Sequence, residues 1–188
     1  TYANPPTLTV AVTAYIARLR KNGISLSNID PATSAYTPVD INSAESLSNR
    51  HVNDALLARE YLTSIYRKLR SHYEWFRRTQ RGEIKEWGRE STSRREGYRW
   101  RGRTVDHVLT SGLDDYPRAK VPHSGELHLD LLSWMAFFAN TMSEIAEFLG
   151  EEDDLVEFQS EREAMIANIE GKFESSRLYV IVNLIFSS

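Results

Sequence analysis

The amino-acid sequence predicts an all-α fold. In four separate stretches the apolar residues recur three or four positions apart, which places each set on one face of a helix. One of these stretches is apolar on nearly every side, a pattern typical of a helix that other helices cover all round. The chain has 188 residues, 41% of them hydrophobic, which is enough to bury a core.

The first predicted helix covers residues 7–21. Pro5 and Pro6 suit its entry, because proline is tolerated where the missing N–H has no partner in the helix. Gly23 marks its end. The buried stripe is predicted to consist of Leu8, Val12, Tyr15, Ile16 and Leu19. Residues 24–49 are rich in Ser, Asn, Thr and Pro, which predicts a long loop.

A second amphipathic helix is predicted over residues 51–78, and an irregular segment follows it. The helix has Leu62, Ile65, Leu69, Tyr73 and Phe76 on its inner face. In residues 82–122 five glycines break the helical pattern, and the stretch is dense in Trp, Tyr and Arg. A long aromatic loop in a helical protein is usually functional. Because glutamates alternate with the arginines of residues 77–103, we expect a solvated or salt-bridged surface there.

Two further helices are predicted in the last third of the chain. Residues 127–150 form the helix that is apolar all round, and residues 154–171 form a helix with Leu155, Phe158, Met165 and Ile169 on its inner face. Residues 178–186 are a short β-branched run unlike anything before them. If the fold is incomplete, the 127–149 helix is expected to expose a large apolar patch and to promote association.

Composition narrows the classes of function. The net charge is −3, whereas general nucleic-acid binders usually carry a basic excess, so no nucleic-acid partner is expected. A helical module that binds RNA or an acidic partner through the Arg- and Trp-rich stretch is the rival interpretation. No apolar run approaches the roughly 20 residues of a spanning helix, so any membrane anchor is expected outside this chain.

One short loop combines acids, an aromatic ring and a guanidinium. Asp114 and Asp115 follow Ser111 and Gly112 and precede Tyr116, Pro117 and Arg118. Glycoside hydrolysis needs a protonated carboxylic acid at the leaving oxygen and a second carboxylate. Burial and a neighbouring negative charge both raise the pKa of an Asp, so a paired Asp can serve as the proton donor. On its own, however, the tetrapeptide Asp-Asp-Tyr-Pro of residues 114–117 favours a simple turn, in which Asp side chains cap backbone N–H groups.

Five longer strings resemble the processing alpha-glucosidases of glycoside hydrolase family 63. They are NPPTL from Asn4, HYEWFRRTQRGEIKEWGRE from His72, YRWRGRT from Tyr98, LTSGLDDYPRA from Leu109 and ELHLDLLSWM from Glu126. The resemblance covers nearly everything up to about residue 170 and implies a partial (α/α)6 toroid. It also implies an inverting enzyme of the endoplasmic reticulum that removes the terminal alpha-1,2-linked glucose from the triglucosylated N-glycan precursor, with no cofactor. In the Ser-Gly-apolar-Asp pattern of such enzymes the general acid is the Asp, here Asp114.

The resemblance makes other residues candidates for substrate binding. Asp115, Tyr116 and Arg118 lie beside the acid in sequence and are expected to contact sugar or to hold Asp114. Trp100, Arg101 and Arg103 are either a sugar platform with donors, or a core tryptophan with arginines that pair with nearby glutamates. His128 and Asp130, two positions apart, are expected on different helix faces, in capping and packing roles, and no metal site is predicted.

The second carboxylate of an inverting mechanism is not identified in this sequence. It must lie about 6.5 to 9.5 Å from the acid, across the sugar. In the family it is a Glu far downstream of the acid loop, whereas Glu144, Glu147 and the glutamates of residues 151–163 follow that loop directly. We therefore expect residues 1–172 to be the N-terminal part of the catalytic domain, residues 173–188 to be a divergent tail, and the chain alone to be inactive. A fragment that binds glucosylated glycans without cleaving them is the alternative.

Overall fold

The computed structural model describes residues 2–24, 44–84, 95–113 and 121–173. These ranges contain five α-helices and one 3-10 turn. The elements are α1 (Leu8–Lys21), α2 (Ala44–Asn53), α3 (Ala55–Thr79), the turn Leu109–Ser111, α4 (Leu129–Leu149) and α5 (Glu152–Phe173). The one β-bridge in the described part is an isolated antiparallel bridge between Arg81 and Tyr98. The predicted all-α class is confirmed.

Helix α1 agrees with the prediction at both ends, but its buried face begins one residue later. Gly23, at φ +70°, follows the helix as expected. Val12, Ile16 and Leu19 are buried, whereas Leu8 is 62% exposed. Thr9 takes the inward position because its hydroxyl donates to the carbonyl of Pro6 at 2.6 Å and is itself buried.

The predicted loop of residues 24–49 and the predicted helix start at residue 51 are both wrong where the structure describes them. Helix α2 begins at Ala44, within the predicted loop, and α3 begins only at Ala55. Asp54 separates the two helices because its carboxylate accepts from the N–H groups of Leu56 at 2.9 Å and Leu57 at 3.1 Å. Residues 25–43 lie outside the described part.

The inner face of α3 is confirmed. Leu62, Leu69, Tyr73 and Phe76 are buried, and Ile65 is partly buried against the core. The helix ends at Thr79, before Gly82 as predicted. This face packs against α4, so a single amphipathic stripe joins α3 to the centre of the molecule.

Helix α4 is the central helix, and most of its surface is buried as predicted, but Ser133, Trp134, Phe137 and Asn140 are only partly buried along one face. Helices α1, α3 and α5 all contact it, and α5 contacts it most extensively. Glu147 is its one fully exposed side chain, and association through an apolar patch of this helix stays a prediction. Gly150, at φ +77°, ends it. Twelve of its residues are buried: Leu131, Leu132, Met135, Ala136, Phe138, Ala139, Thr141, Met142, Ser143, Ile145, Ala146 and Phe148.

Helix α5 returns antiparallel to α4 and presents the predicted face. Phe158, Met165 and Ile169 are buried, and Leu155 is partly buried. The helix extends to Phe173, next to the predicted boundary between residues 1–172 and the tail 173–188. The tail from residue 174 lies outside the described part, so that boundary stays a prediction, as does closure of the helices into a toroid.

The irregular segment, residues 82–122, contains no α-helix in its described parts. It starts with a close approach of two backbones, where the Gly82 N–H donates to the Gly97 carbonyl at 2.8 Å. A Cβ on Gly82 would collide with the Leu127 side chain, and one on Gly97 with Ile84. Glycine at both positions therefore allows the segment to lie directly against the end of α3.

Candidate active site

The proposed acid and three neighbours fall outside the described residues. Asp114, Asp115, Tyr116 and Arg118 belong to residues 114–120, which the structure does not describe. The structure does describe the chain on both sides of this loop, and it describes Trp100, Arg101 and Arg103. Each of these three residues makes specific polar contacts.

Trp100 joins the irregular segment to the start of α4. Its side chain is 1% exposed. The indole Nε1–H donates to Asp130 Oδ2 at 2.8 Å, and the backbone N–H donates to His128 Nδ1 at 2.9 Å. This position corresponds to the core alternative for Trp100, and a contact between its ring and a sugar stays a prediction.

The expected roles of His128 and Asp130 are corrected by the same contacts. His128 is the residue before α4, in extended conformation, and its side chain makes no capping hydrogen bond. Because His128 precedes the helix, the two residues do not point to different helix faces; both bind Trp100. Since Nδ1 of His128 accepts a hydrogen bond, the neutral ring carries its proton on Nε2.

Arg101 closes the C-terminal end of α3. Its Nε–H donates to the Thr79 carbonyl at 3.1 Å and its guanidinium donates to the Arg81 carbonyl at 2.8 Å. Its backbone N–H donates to Gln80 Oε1 at 3.1 Å. A cation at a helix C-terminus satisfies terminal carbonyls and suits the helix dipole. Among the contacts that the structure describes, the Arg101 guanidinium binds backbone carbonyls and not the glutamates that one alternative predicted.

Arg103 does pair with a glutamate, as one alternative predicted. Its guanidinium lies 3.1 Å from Glu126 Oε2, and the two side chains are only 7% and 9% exposed. His128 Nε2 lies 3.8 Å from the same carboxylate oxygen. This buried group of cation, carboxylate and imidazole sits in the chain that enters α4, directly after the acid loop.

Sequence reasoning gave no site role to Glu126 or to its neighbours. The missed signal is the alternation of Glu126 and His128 with leucines, a period of two that indicates extended chain up to the start of α4. Extended chain explains how Glu126 and His128 can turn the same way, toward Arg103 and Trp100. An alternation of this kind predicts that Glu126 and His128 lie on the same side of the chain.

The stem of the acid loop is a tight turn. The 3-10 turn Leu109–Ser111 is followed by Gly112 in the left-handed region at φ +71°. The hydroxyl of Thr110 donates to the Arg101 carbonyl at 3.3 Å, which attaches the turn to the residue that closes α3. The described chain continues to Leu113, one position before the proposed acid.

A buried charge cluster anchors the start of the irregular segment. Arg77 of α3 binds two carboxylates, Glu96 at 2.9 Å and Glu161 of α5. The hydroxyl of Tyr98 donates to Glu96 at 2.5 Å, and that of Tyr73 donates to Glu161 at 2.7 Å. These five residues connect α3, α5 and the irregular segment, and Glu96 is 3% exposed.

The pKa shifts in the charge cluster reflect burial and pairing. Burial, followed by the nearby carboxylates, raises the pKa of both Tyr73 and Tyr98. Burial lowers the pKa of Arg77, but Glu96 and Glu161 outweigh it and the net pKa is raised. Burial likewise raises the pKa of Glu161, against the opposing effect of Tyr73 and Arg77. The prediction of ion pairs for this stretch is confirmed here, but their expected place on the surface is wrong.

Two other classes of site have no support in the described part of the chain. Across those ranges, no three His, Cys, Asp or Glu side chains are close enough together to hold a metal ion. None of the helices described combines the length and apolar character that crossing a membrane requires.

Comparison with known proteins identifies the family. Residues 1–180 match the Glycosyl hydrolase family 63 C-terminal domain. The chain is 43% identical over 169 residues to the probable mannosyl-oligosaccharide glucosidase of Schizosaccharomyces pombe, with 89% of the chain and 20% of that protein covered. It is 36% identical over 179 residues to the mannosyl-oligosaccharide glucosidase of Saccharomyces cerevisiae, with 89% and 21% covered.

A plant protein shows a shorter match of the same kind. The mannosyl-oligosaccharide glucosidase of Arabidopsis thaliana is 41% identical over 95 residues, which are 47% of the chain and 10% of that protein. The chain spans about a fifth of the length of the two yeast relatives. Because the family match extends over almost the whole sequence, the chain belongs to glycosyl hydrolase family 63.

Proposed function

We propose that this chain is part of the catalytic domain of a mannosyl-oligosaccharide glucosidase, and that it supplies the general acid, Asp114. The observation that carries the proposal is the family match over residues 1–180, which includes the acid loop. The substrate is the terminal alpha-1,2-linked glucose of the triglucosylated N-glycan precursor, cleaved with inversion in the endoplasmic reticulum. The partial toroid of helices is the frame of the site.

The structure around the acid loop supports this role for Asp114. A general acid must reach the departing oxygen within hydrogen-bond distance, which requires a fixed backbone. The turn before residue 114 is attached to Arg101, and Arg101 is attached to the carbonyls at the end of α3. The loop therefore starts from a point fixed on the helical core.

Residues around the acid divide into two groups in this proposal. Asp115, Tyr116 and Arg118 share the loop with Asp114 and bind sugar hydroxyls or orient the acid. Trp100 and Arg101 support the loop without contacting the substrate, because Trp100 is buried and Arg101 donates to backbone carbonyls. Arg103, paired with Glu126, borders the site as a further candidate for substrate contact.

The second carboxylate is proposed to lie outside these residues. Several glutamates on the described helices have cationic partners: Glu144 and Glu147 pair with Arg20, and Glu157 pairs with Arg70. Glu161 binds Arg77 in the buried charge cluster. Side chains held in this way support the helical packing, and we expect the chain alone to show no glucosidase turnover.

Two assays test the proposal. The purified chain is first incubated with an alpha-1,2-linked glucose disaccharide, and no glucose release is expected. The matching segment of the Schizosaccharomyces pombe relative is then replaced by this chain, which should give an active graft. Asp114→Asn in the graft should lower kcat by about 100- to 10,000-fold, the usual contribution of a general acid.

The matched control for this substitution is Asp106→Asn. Asp106 is an exposed Asp of the same irregular segment, eight positions before the proposed acid, so its loss should change kcat less than twofold, which is about the error of such assays. Turnover by the isolated chain that Asp114→Asn abolishes would overturn the proposed position of the second carboxylate. An active graft that tolerates Asp114→Asn would overturn the acid assignment.

A further inference from the structure

We propose that Ser111 is a positioning residue: its buried hydroxyl fixes the turn that directs Asp114 toward the substrate. This inference rests on the proposed function, because it acts through the general acid. Ser111 is 3% exposed and lies three positions before Asp114.

The Ser111 hydroxyl both donates and accepts. Oγ donates to the Val108 carbonyl at 2.8 Å, and it accepts from the Leu113 N–H at 3.0 Å. The Ser111 backbone N–H donates to the same Val108 carbonyl at 2.9 Å. One side chain therefore spans the turn from residue 108 to residue 113, and its bond from the Leu113 N–H fixes the Gly112–Leu113 peptide unit, the second before Asp114.

Apolar packing holds this turn only at Val108, which is 1% exposed and belongs to the hydrophobic core. Leu109 is 58% exposed and Leu113 is 45% exposed, so both project outward on either side of the buried serine. Gly112, in the left-handed region, has only the Pro5 side chain near the position of a Cβ, at 3.8 Å. The direction of the chain at residue 113 therefore depends on hydrogen bonds, among which the bond to Ser111 is the one that reaches residue 113.

The turn is also connected to the helical core. Thr110 donates to the Arg101 carbonyl at 3.3 Å, and Arg101 donates to the Thr79 carbonyl at the end of α3. A continuous series of hydrogen bonds thus runs from α3 through Arg101 and Thr110 to the turn. Ser111 transmits this fixed position across Gly112, which is otherwise the most flexible link in the series.

A role of Ser111 as nucleophile does not fit these contacts. The hydroxyl is buried, and both of its bonds go to backbone groups of its own turn. A nucleophilic serine needs a general base within hydrogen-bond reach, and neither described partner of this hydroxyl is a base. Positioning is the role that its geometry allows, and a displacement of about 1 Å of a catalytic group can cost about 100-fold in rate.

The test uses two substrates of the active graft that differ in their need for a proton. The disaccharide requires protonation of its leaving oxygen, whereas alpha-glucosyl fluoride departs with little assistance. Ser111→Ala should lower kcat on the disaccharide about 10- to 100-fold with little change in KM, and kcat on the fluoride less than about threefold. Ser111→Thr keeps the hydroxyl and should restore most of the activity.

Thr104→Ala is the matched control. The Thr104 hydroxyl makes comparable local turn bonds, to the carbonyl and the N–H of His107 at 3.3 and 3.2 Å, but it is exposed and ten positions from the acid. It should leave the kcat of both substrates unchanged. Equal loss on both substrates in Ser111→Ala would show a merely structural role and would overturn the inference.

The outcomes separate this inference from the proposed function. If Asp114→Asn selectively loses the disaccharide and Ser111→Ala behaves as the unsubstituted graft, the positioning role is wrong and the acid assignment stands. If Asp114→Asn shows no selective loss, the proposed function itself fails. If the Ser111→Ala graft does not fold, amide exchange of the chain decides: Leu113 should exchange at least about tenfold faster in Ser111→Ala, and an unchanged rate would overturn the inference.

Discussion

The helical core and the irregular segment differ in the contacts that hold them in place. Helices α3, α4 and α5 meet through buried apolar side chains such as Phe76, Phe138 and Phe158. The irregular segment adds Tyr98, Trp100 and Val108 to the same core, and polar contacts also hold it there, with Arg77 binding Glu96 and Trp100 binding Asp130. Periodicity predicts the first kind of contact, whereas the second kind depends on residues that look like surface positions in the sequence.

This difference teaches that charge density in a sequence does not separate surface from interior. Arg20 and Arg77 both pair with two glutamates from another part of the chain. The Arg20 side chain is 47% exposed, and that of Arg77 is 16% exposed. We therefore expect these ion pairs to contribute little at Arg20 and to hold the irregular segment at Arg77, which substitution can test.

The largest effect is expected from Arg77→Met. This change leaves the buried Glu96 and Glu161 carboxylates without their shared cation, and the loss of one partner of a buried ion pair costs about 3 to 5 kcal/mol. Arg20→Met should cost about 1 kcal/mol or less, because exposed pairs are screened by water. Urea denaturation of the chain measures both, and equal losses would contradict the distinction between the two regions.

A smaller effect is expected from Gly97→Ala. An added Cβ collides with the Ile84 side chain at the close approach of the two backbones, and overpacking costs about 1 to 3 kcal/mol. The matched control is Gly23→Ala, since no atom lies within 4 Å of a Cβ there and only the strain of φ +70° remains, about 1 kcal/mol. The free energy of unfolding decides, and a larger loss at Gly23 would contradict the close approach.

Trp100→Phe should destabilise the chain by about 1 to 2 kcal/mol. The ring keeps most of its apolar contacts, but Asp130 loses the indole N–H that it binds at 2.8 Å. If Trp100 only filled space in the core, Asp130→Ala would add its full cost to that of Trp100→Phe. In a double-mutant cycle we expect the two losses to be less than additive, and additivity within about 0.3 kcal/mol would contradict the bond.

The smallest expected effects are on the pH dependence of the free energy of unfolding, and they have opposite signs at Asp154 and Glu144. Burial raises the pKa of Asp154, but hydrogen bonds from Tyr66 and Arg70 outweigh it, so the net pKa is lowered. Its stabilisation is therefore present above its ordinary pKa of about 3.8 and is lost as pH falls through the lowered value. Asp154→Asn should cost about 1 kcal/mol at pH 7 and almost nothing at the most acidic pH that the chain tolerates.

Glu144 should behave in the opposite way. Burial raises its pKa above the ordinary 4.5, although Arg20 and Asn140 oppose the shift. The folded chain therefore holds the proton more tightly than the unfolded chain, and stability falls as pH rises through this window. Glu144→Gln should gain up to about 0.5 kcal/mol at pH 7 and nothing at pH 3. Urea denaturation at both values measures this, and a loss at pH 7 would contradict the sign.

Much of the fold could be predicted because apolar spacing reflects packing directly. The inner faces of α3, α4 and α5 follow from the spacing of their apolar residues, such as Leu69, Met135 and Phe158. Helix α2 was missed because its Ser- and Asn-rich sequence resembles a loop. The start of α3 was misplaced because an Asp cap can divide a continuous pattern, as Asp54 does.

Less of the site could be predicted, because its contacts join residues far apart in sequence. The acid loop was identified from its motif, but nothing local indicated that Arg101 closes α3 or that Glu126 pairs with Arg103. Trp100 could be assigned to core or substrate with equal reason, since a tryptophan in a loop serves either purpose. Only the three-dimensional structure shows that the Trp100 backbone N–H donates to His128 and that its indole N–H donates to Asp130.

Amide hydrogen exchange of the isolated chain tests most directly whether polar contacts fix the irregular segment to the core. The N–H groups of Arg99, Trp100 and Arg101 donate to the Gln80 carbonyl, His128 Nδ1 and Gln80 Oε1. We predict that these three amides are protected to within about tenfold of the amides in the middle of α3. Exchange of all three at nearly the rate of unstructured chain, while α3 stays protected, would contradict it.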